Sequence, residues 1–365
     1  MSNREIQDRL QAVTPSEVER HLAGTPGRYT SDRLLALISP AAKAYLEPMA
    51  QQVHRLTVQR FGKTMSLYAP LYVSSFCCNR CTYCGFNRDS VSERKRLTVD
   101  QAVAEATIIR SEGFTDLLLV SSEDREYVTI DYLVALAGRL RGLFSSLSIE
   151  IHQLEQVDYT RLYQAGIDGV TLYQETYDRA VYAGYHLSGP KADYERRLRG
   201  PDDFASAGMR RLGLGVLLGL SDWRVDTLAL AAHGHRLMKR HWQSQISFSF
   251  PRLRPANDVQ KQQFIHLLSD PDLVQMILAL RLCFADAGLI LSTRESPAMR
   301  DALAGLGITK MSAGSKTNPG GYADTNASVE QFAVNDQRSA AQIAEMLRTQ
   351  DIEPVWKDWD VAFGT

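Results

Sequence analysis

The sequence predicts an α/β fold: a (β/α)8 TIM-type barrel with a helical amino-terminal extension and a carboxy-terminal tail. Three observations lead there. From about residue 66, eight short apolar runs alternate with longer amphipathic stretches. Several runs, such as Leu117-Leu118-Leu119-Val120, are continuously apolar, as in parallel strands buried on both faces. No G-x-G-x-x-G follows the first run, which leaves an open doubly wound sheet as the weaker alternative.

In chain order, residues 1–60 read as helices with polar faces. Thr14-Pro15-Ser16-Glu17 and Ser39-Pro40 are the start signals there. The barrel is expected over 61–325, with strands at Met65–Val73, Asp116–Val120, Leu147–Ile151, Gly169–Tyr173, Arg211–Leu217, Gln245–Phe248, Leu289–Ser292 and Ile308–Met311. Between them, Thr98 with Gln101 predicts a capping box, and Gly113 closes that helix. Asp270-Pro271 opens another helix, with Gly288 as its stop. Residues 326–365 are expected to add a helix and tail packed on the barrel. No internal repeat or low-complexity linker divides the chain.

Composition excludes several function classes. Of 365 residues, 44% are hydrophobic and 23% charged, and the formal net charge is −1, so no nucleic acid or anionic membrane is expected as partner. No run approaches the length of a membrane-spanning helix, and the first residues lack the apolar core of a secretory signal. A reducing, cytoplasmic setting is the expectation.

Four of the five cysteines fall within Cys77-Cys78-Asn79-Arg80-Cys81-Thr82-Tyr83-Cys84, and Cys77, Cys81 and Cys84 spell C-x3-C-x2-C. Three close thiolates are soft ligands for an iron–sulfur cluster or, less readily, for zinc. A structural zinc site closes with four protein ligands, whereas a cube held by three cysteines keeps one iron open for a ligand. Cys78 is left between a competing ligand and a packing residue. Cys283, on an apolar helix face, reads as a buried free thiol. The cysteines follow the first strand, which places them at the carboxy-terminal mouth of the barrel, where active sites are built.

The triplet, with Tyr83 just before the third cysteine, resembles the radical S-adenosylmethionine (SAM) superfamily. Residues 168–187 (DGVTLYQETYDRAVYAGYHL), 213–224 (GLGVLLGLSDWR), 249–255 (SFPRLRP) and 310–322 (KMSAGSKTNPGGY) sharpen the likeness to its 2-iminoacetate synthase (tyrosine lyase) family. The resemblance spans essentially the whole chain, including the Trp356-Lys357-Asp358-Trp359 ending. A related tyrosine lyase of hydrogenase maturation carries a second cysteine-bound cluster in an added carboxy-terminal segment. Here the last cysteine is Cys283, so one cluster is expected.

The resemblance implies a [4Fe–4S] cluster on Cys77, Cys81 and Cys84, with SAM on the fourth iron. Reductive cleavage of SAM would give a 5′-deoxyadenosyl radical that takes hydrogen from the amino group of L-tyrosine. Cα–Cβ scission then yields 2-iminoacetate and p-cresol for the thiazole half of thiamine. It also implies Tyr83 near the SAM adenine, Glu123 as a SAM contact, Glu175 on the ribose and Arg197 on the SAM carboxylate. Ser121-Ser122 stand where glycines are usual, a departure that removes glycine-specific geometry. Of Arg252 and Arg254, Arg252 is preferred for the tyrosine carboxylate, with Ser312, Gly314 and Ser315 lining the same pocket. Thiazole synthase and a flavodoxin-type reductant are the implied partners. A lyase acting on tryptophan and a zinc-binding interaction protein are the alternatives. Gly213-Leu214-Gly215 reads as close backbone packing, and His233 and His235 as structural or surface residues.

Overall fold

A computed structural model describes residues 2–259, 264–324 and 328–357. Nine strands form one parallel sheet: β1 Thr64–Ser74, β2 Asp116–Ser121, β3 Ser146–Glu150, β4 Gly169–Glu175, β5 Arg211–Val216, β6 Gln245–Ser249, β7 Gly288–Leu291, β8 Lys310–Ser312 and β9 Glu353–Val355. The first eight close into a barrel, because β1 pairs with both β8 (Leu67 with Met311) and β2 (Ala69 with Leu117). All eight predicted strands are present, with ends displaced by at most two residues.

Four helices precede the barrel: α1 Asn3–Ala12, α2 Pro15–Leu22, α3 Ser31–Leu37 and α4 Leu46–Phe61. Thr14 caps α2 with the reciprocal Glu17 bond its sequence predicts. Ser39-Pro40 opens a 3-10 turn over Pro40–Tyr45 that leads into α4. Helices α5 Val99–Ser111, α6 Ile130–Leu140, α7 Gln156–Ala165, α8 Arg179–Tyr185, α9 Tyr194–Ser206, α10 Trp223–Arg240, α11 Asp270–Cys283, α12 Pro297–Leu303 and α13 Ala340–Thr349 follow. The Thr98–Gln101 capping box starts α5, and Gly113, at φ +103°, follows its end. Ser269 caps α11, which ends at Cys283; Gly288 is not its stop but the first residue of β7.

The ninth strand is an addition the sequence did not suggest. It pairs with the opening residues of β1, Thr64 with Glu353 and Ser66 with Val355, before β2 begins its own ladder. Trp356 continues it and packs edge-on against Phe114. Asp358 and Trp359 of the family-like ending lie outside the described residues.

The core lies between the strands and the helical ring. Leu117, Leu119, Leu147, Ile149, Leu212 and Leu214 point outward and are buried there against helix residues such as Ala106, Leu136 and Leu230. Burying each such side chain stabilises the fold by about 1.5–3 kcal/mol. Inside the barrel, Gly213 and Gly215 make room: a Cβ on Gly215 would stand 2.5 Å from the Tyr173 ring, and one on Gly213 would strike Thr171. This is the close packing expected of them. Cys283 is buried, His233 bonds Tyr177 at 2.9 Å, and His235 packs on Tyr29. Among the described residues no helix is long and apolar enough to cross a membrane.

Candidate active site

A cavity opens at the carboxy-terminal mouth of the barrel. Its wall includes Cys77, Cys81 and Cys84, together with Tyr83, Glu123, Glu175, Arg197, Ser312 and Ser315. Nine residues singled out in the sequence thus meet in one place. Arg252 does not line it, and neither does Gly314.

The cysteine loop is held by its backbone. Arg80 N–H donates to Ser188 O at 3.0 Å and Thr82 N–H to Tyr185 O at 3.0 Å, fixing the loop along the end of α8. The Tyr83 hydroxyl bonds His186 Nε2 at 2.8 Å, while His186 Nδ1 lies 2.8 Å from Tyr182 O. Nδ1 therefore donates to the carbonyl, and Nε2 accepts from Tyr83. Cys78 faces away: its thiol donates to Glu123 O at 2.9 Å and borders a separate small cavity.

The three thiols share the wall of one cavity. Among the described residues no three cysteine, histidine or carboxylate side chains converge on one point, as a closed mononuclear site needs. Thiols of a cube bind separate irons and stand further apart. N–H groups already face two of the sulfurs, Gln331 Nε2 at 3.7 Å and Phe86 N at 3.4 Å from Cys84, and Asn79 Nδ2 at 3.9 Å from Cys77. Burial pushes the Cys77 thiol up to about 12 and raises Cys81 as well. Loading a metal therefore displaces protons.

Beside the thiols lies a buried relay of charge. Glu123, just past β2, accepts from Arg197 Nη1 at 2.6 Å and from Asn79 Nδ2 at 3.1 Å. Burial works against its charge, but Arg197 and then Lys191 hold its carboxyl down at about 2. Arg197 Nε donates to Tyr173 O at 2.8 Å, leaving Nη2 without a partner among the described residues. Glu175 ends β4 at a bulge with φ +69°, a left-handed geometry that costs on the order of 1–3 kcal/mol for a side chain of this kind. That turn aims its carboxylate at Lys191 Nζ, 2.7 Å away.

Three hydroxyls add capacity for a ligand. Ser121, Ser122 and Ser315 Oγ atoms are buried, line the cavity and have no hydrogen-bond partner among the described residues. Buried hydroxyls left unpaired are costly. The two serines standing at the usual glycine positions thus present polar groups to the cavity.

The structure places Arg252, the preferred residue of the sequence reading, in an acidic pairing away from the cavity. Its Nε lies 2.9 Å from Glu295 and its Nη1 2.6 Å from Asp270, outside the cavity wall. Arg254 does line the cavity, yet shares Glu295 at 3.1 Å. Arg294, beyond β7, is the cation that sequence reasoning missed. Its guanidinium stacks 3.4 Å over the Phe332 ring, lines the cavity and has no acidic partner among the described residues. Lys191 was missed as well, lying in a short polar turn with no motif around it. Arg294, in Ser292-Thr293-Arg294-Glu295, carried a usable signal: a cation directly after a barrel strand.

Comparison with known proteins decides the family. The Radical SAM superfamily profile matches residues 71–231, and that of the Biotin and Thiamin Synthesis associated domain matches 249–353. The 2-iminoacetate synthase of Escherichia coli (strain K12) is 46% identical over 361 residues, 99% of this chain and 95% of that protein. The chain belongs to the 2-iminoacetate synthase family. The Salmonella typhimurium member is likewise 46% identical over the same share of both chains. Among solved structures, the [FeFe]-hydrogenase maturase HydG superposes with a TM-score of 0.93 at 29% identity, covering 99% of this chain and 82% of that one. Radical SAM enzymes of this family bind a [4Fe–4S] cluster and SAM, and the thiol wall described above fits that cluster.

Proposed function

We propose that this chain is a radical SAM lyase that cleaves the Cα–Cβ bond of L-tyrosine to 2-iminoacetate and p-cresol. The supporting observation is a single cavity that joins three thiols, a buried charge relay and an arginine with no acidic partner among the described residues. Cys77, Cys81 and Cys84 hold the cluster, and Cys78 stays outside the ligand set. When bound, the cluster and SAM supply a 5′-deoxyadenosyl radical.

The chain's own residues bind, orient and exclude water. Tyr83, fixed by His186, offers a flat face to the adenine. Glu175 takes the ribose hydroxyls, and Lys191 keeps it ionised: burial favours the neutral acid, but the ammonium lowers its pKa. Arg197 offers Nη2 to the SAM carboxylate while Glu123 fixes the rest of the fork. Glu123 and the hydroxyls of Ser121 and Ser122 face the ammonium.

For the substrate, Arg294 replaces Arg252 as the residue for the tyrosine carboxylate, with Ser312 and Ser315 beside it. A guanidinium stacked on an aromatic ring keeps its charge and its donors, and an incoming carboxylate supplies the missing partner. The product imine hydrolyses in water, so direct transfer to thiazole synthase in the cytoplasm, with a flavodoxin-type electron donor, completes the reading.

The test is anaerobic incubation of cluster-reconstituted protein with tyrosine, SAM and dithionite, read by mass spectrometry. p-Cresol and 5′-deoxyadenosine in equal amounts are expected. 5′-Deoxyadenosine with a tryptophan-derived fragment instead would move the substrate assignment to tryptophan.

A further inference from the structure

We propose that Glu150 recognises the substrate's para-hydroxyl, accepting its hydrogen bond at the floor of the cavity and selecting 4-hydroxyphenyl amino acids over phenylalanine. This deepens, and rests on, the tyrosine-lyase reading.

Glu150 is the last residue of β3, in register with Val120 of β2. Along this strand Leu147 and Ile149 are buried outward in the helix-facing core, whereas Ser148 and Glu150 point into the barrel. Glu150 lines the mouth cavity and also a second cavity at the opposite end of the barrel, so it stands at the layer dividing the two. What surface it keeps opens into these cavities.

This carboxyl has no hydrogen-bond or ion-pair partner among the described residues. The groups facing it are Tyr68 and Tyr72 from β1, Tyr173 and Glu175 from β4, Arg197 from α9, Lys191 ahead of α9 and Arg294 beyond β7. None of these groups bonds Glu150, and several of them are engaged elsewhere. Tyr72 donates to Gln331 Oε1 at 2.8 Å. Lys191 is on Glu175, Arg197 is on Glu123, and Arg294 lies over Phe332. Burial, and then the charge of Glu175, push the Glu150 carboxyl up to about 7. A buried carboxyl without a donor is costly, and a ligand hydroxyl supplies what the fold withholds.

Arg294 and Glu150 are then the two unpaired poles of one cavity. Arg294 lines only the mouth cavity, and Glu150 lies deeper, at the dividing layer. An amino acid whose carboxylate rests on Arg294 and whose ring points inward presents its para substituent to Glu150. Sites built to bond a hydroxyl reject the analogue lacking it far better than apolar pockets sort by size.

The experiment measures equilibrium binding of four amino acids to cluster-reconstituted, SAM-loaded protein, with p-cresol formation assayed in the same preparation. Tyrosine and 4-aminophenylalanine keep a para donor; phenylalanine and 4-methylphenylalanine lack one. The wild type is expected to favour the donor pair by roughly 10- to 100-fold, and Glu150→Leu to shrink that preference to about threefold or less with SAM binding unchanged. A wild type that binds 4-methylphenylalanine as tightly as tyrosine while forming p-cresol overturns the role of Glu150 without any variant. An equal loss of tyrosine and phenylalanine binding in Glu150→Leu also overturns it, because the carboxylate would then serve the shared ammonium. No binding of any of the four and no p-cresol would overturn the tyrosine-lyase reading itself.

Discussion

Arg197 Nη1 lies 2.6 Å from Glu123 Oε1, joining α9 to the turn after β2 across 74 residues of sequence. Both side chains are almost fully removed from water, so each depends on the other for its charge. Removing one partner of such a pair costs about 3–5 kcal/mol, because the other stays buried and unpaired. Arg197→Met should lower the stability of the cluster-free protein by that order and abolish SAM binding, read by denaturant unfolding and equilibrium dialysis.

The same pair predicts acid sensitivity. Glu123 has an ordinary value near 4.5 and is held at about 2, against burial, by Arg197 and Lys191. A depressed carboxyl contributes stability that is complete above about 4.5 and is lost as pH falls toward 2. Denaturant midpoints of wild type should fall on going from pH 5 to pH 3, and Glu123→Gln should flatten that slope. An equal slope in the variant would place the acid sensitivity elsewhere.

Cys78 and its neighbours separate cleanly by iron content. Cys78 is turned to Glu123 O, whereas Cys77, Cys81 and Cys84 share the cavity wall. Cys78→Ser should retain the wild-type iron content and cluster EPR signal after reconstitution. Cys77→Ser, Cys81→Ser and Cys84→Ser should each lose most of both.

The arginines separate by kinetics. Arg294→Ala should raise the KM for tyrosine by roughly 10- to 100-fold, the worth of a charge-assisted bond. Arg252→Ala should leave that KM within about threefold while lowering stability, since it leaves Glu295 buried with Arg254 alone. Initial rates against tyrosine concentration, with melting temperatures beside them, decide this.

What the sequence made legible and what it hid follow one rule. The barrel strands are readable because apolar runs and turn chemistry are local, and the cysteine triplet because its ligands are seven residues apart at most. β9 was hidden: it is three residues long, contains Pro354 and exists only because β1 offers it a ladder. Arg252 looked right in Pro251-Arg252-Leu253-Arg254 until Glu295, 43 residues later, claimed it. Lys191 and His186 acquire meaning only through partners brought from other elements. Glu150 did carry a local sign, an acid in an otherwise uncharged segment, Leu147-Ser148-Ile149-Glu150-Ile151.

The central claim is that this cavity aims a radical at the amino group of tyrosine. The most direct test is turnover in D2O with tyrosine carrying hydrogen only at carbon, followed by mass spectrometry of the 5′-deoxyadenosine. One deuterium in the 5′-deoxyadenosine is the expected result, since only the exchangeable positions of the substrate carry deuterium. 5′-Deoxyadenosine without deuterium, formed alongside p-cresol, would show abstraction from carbon and contradict the account.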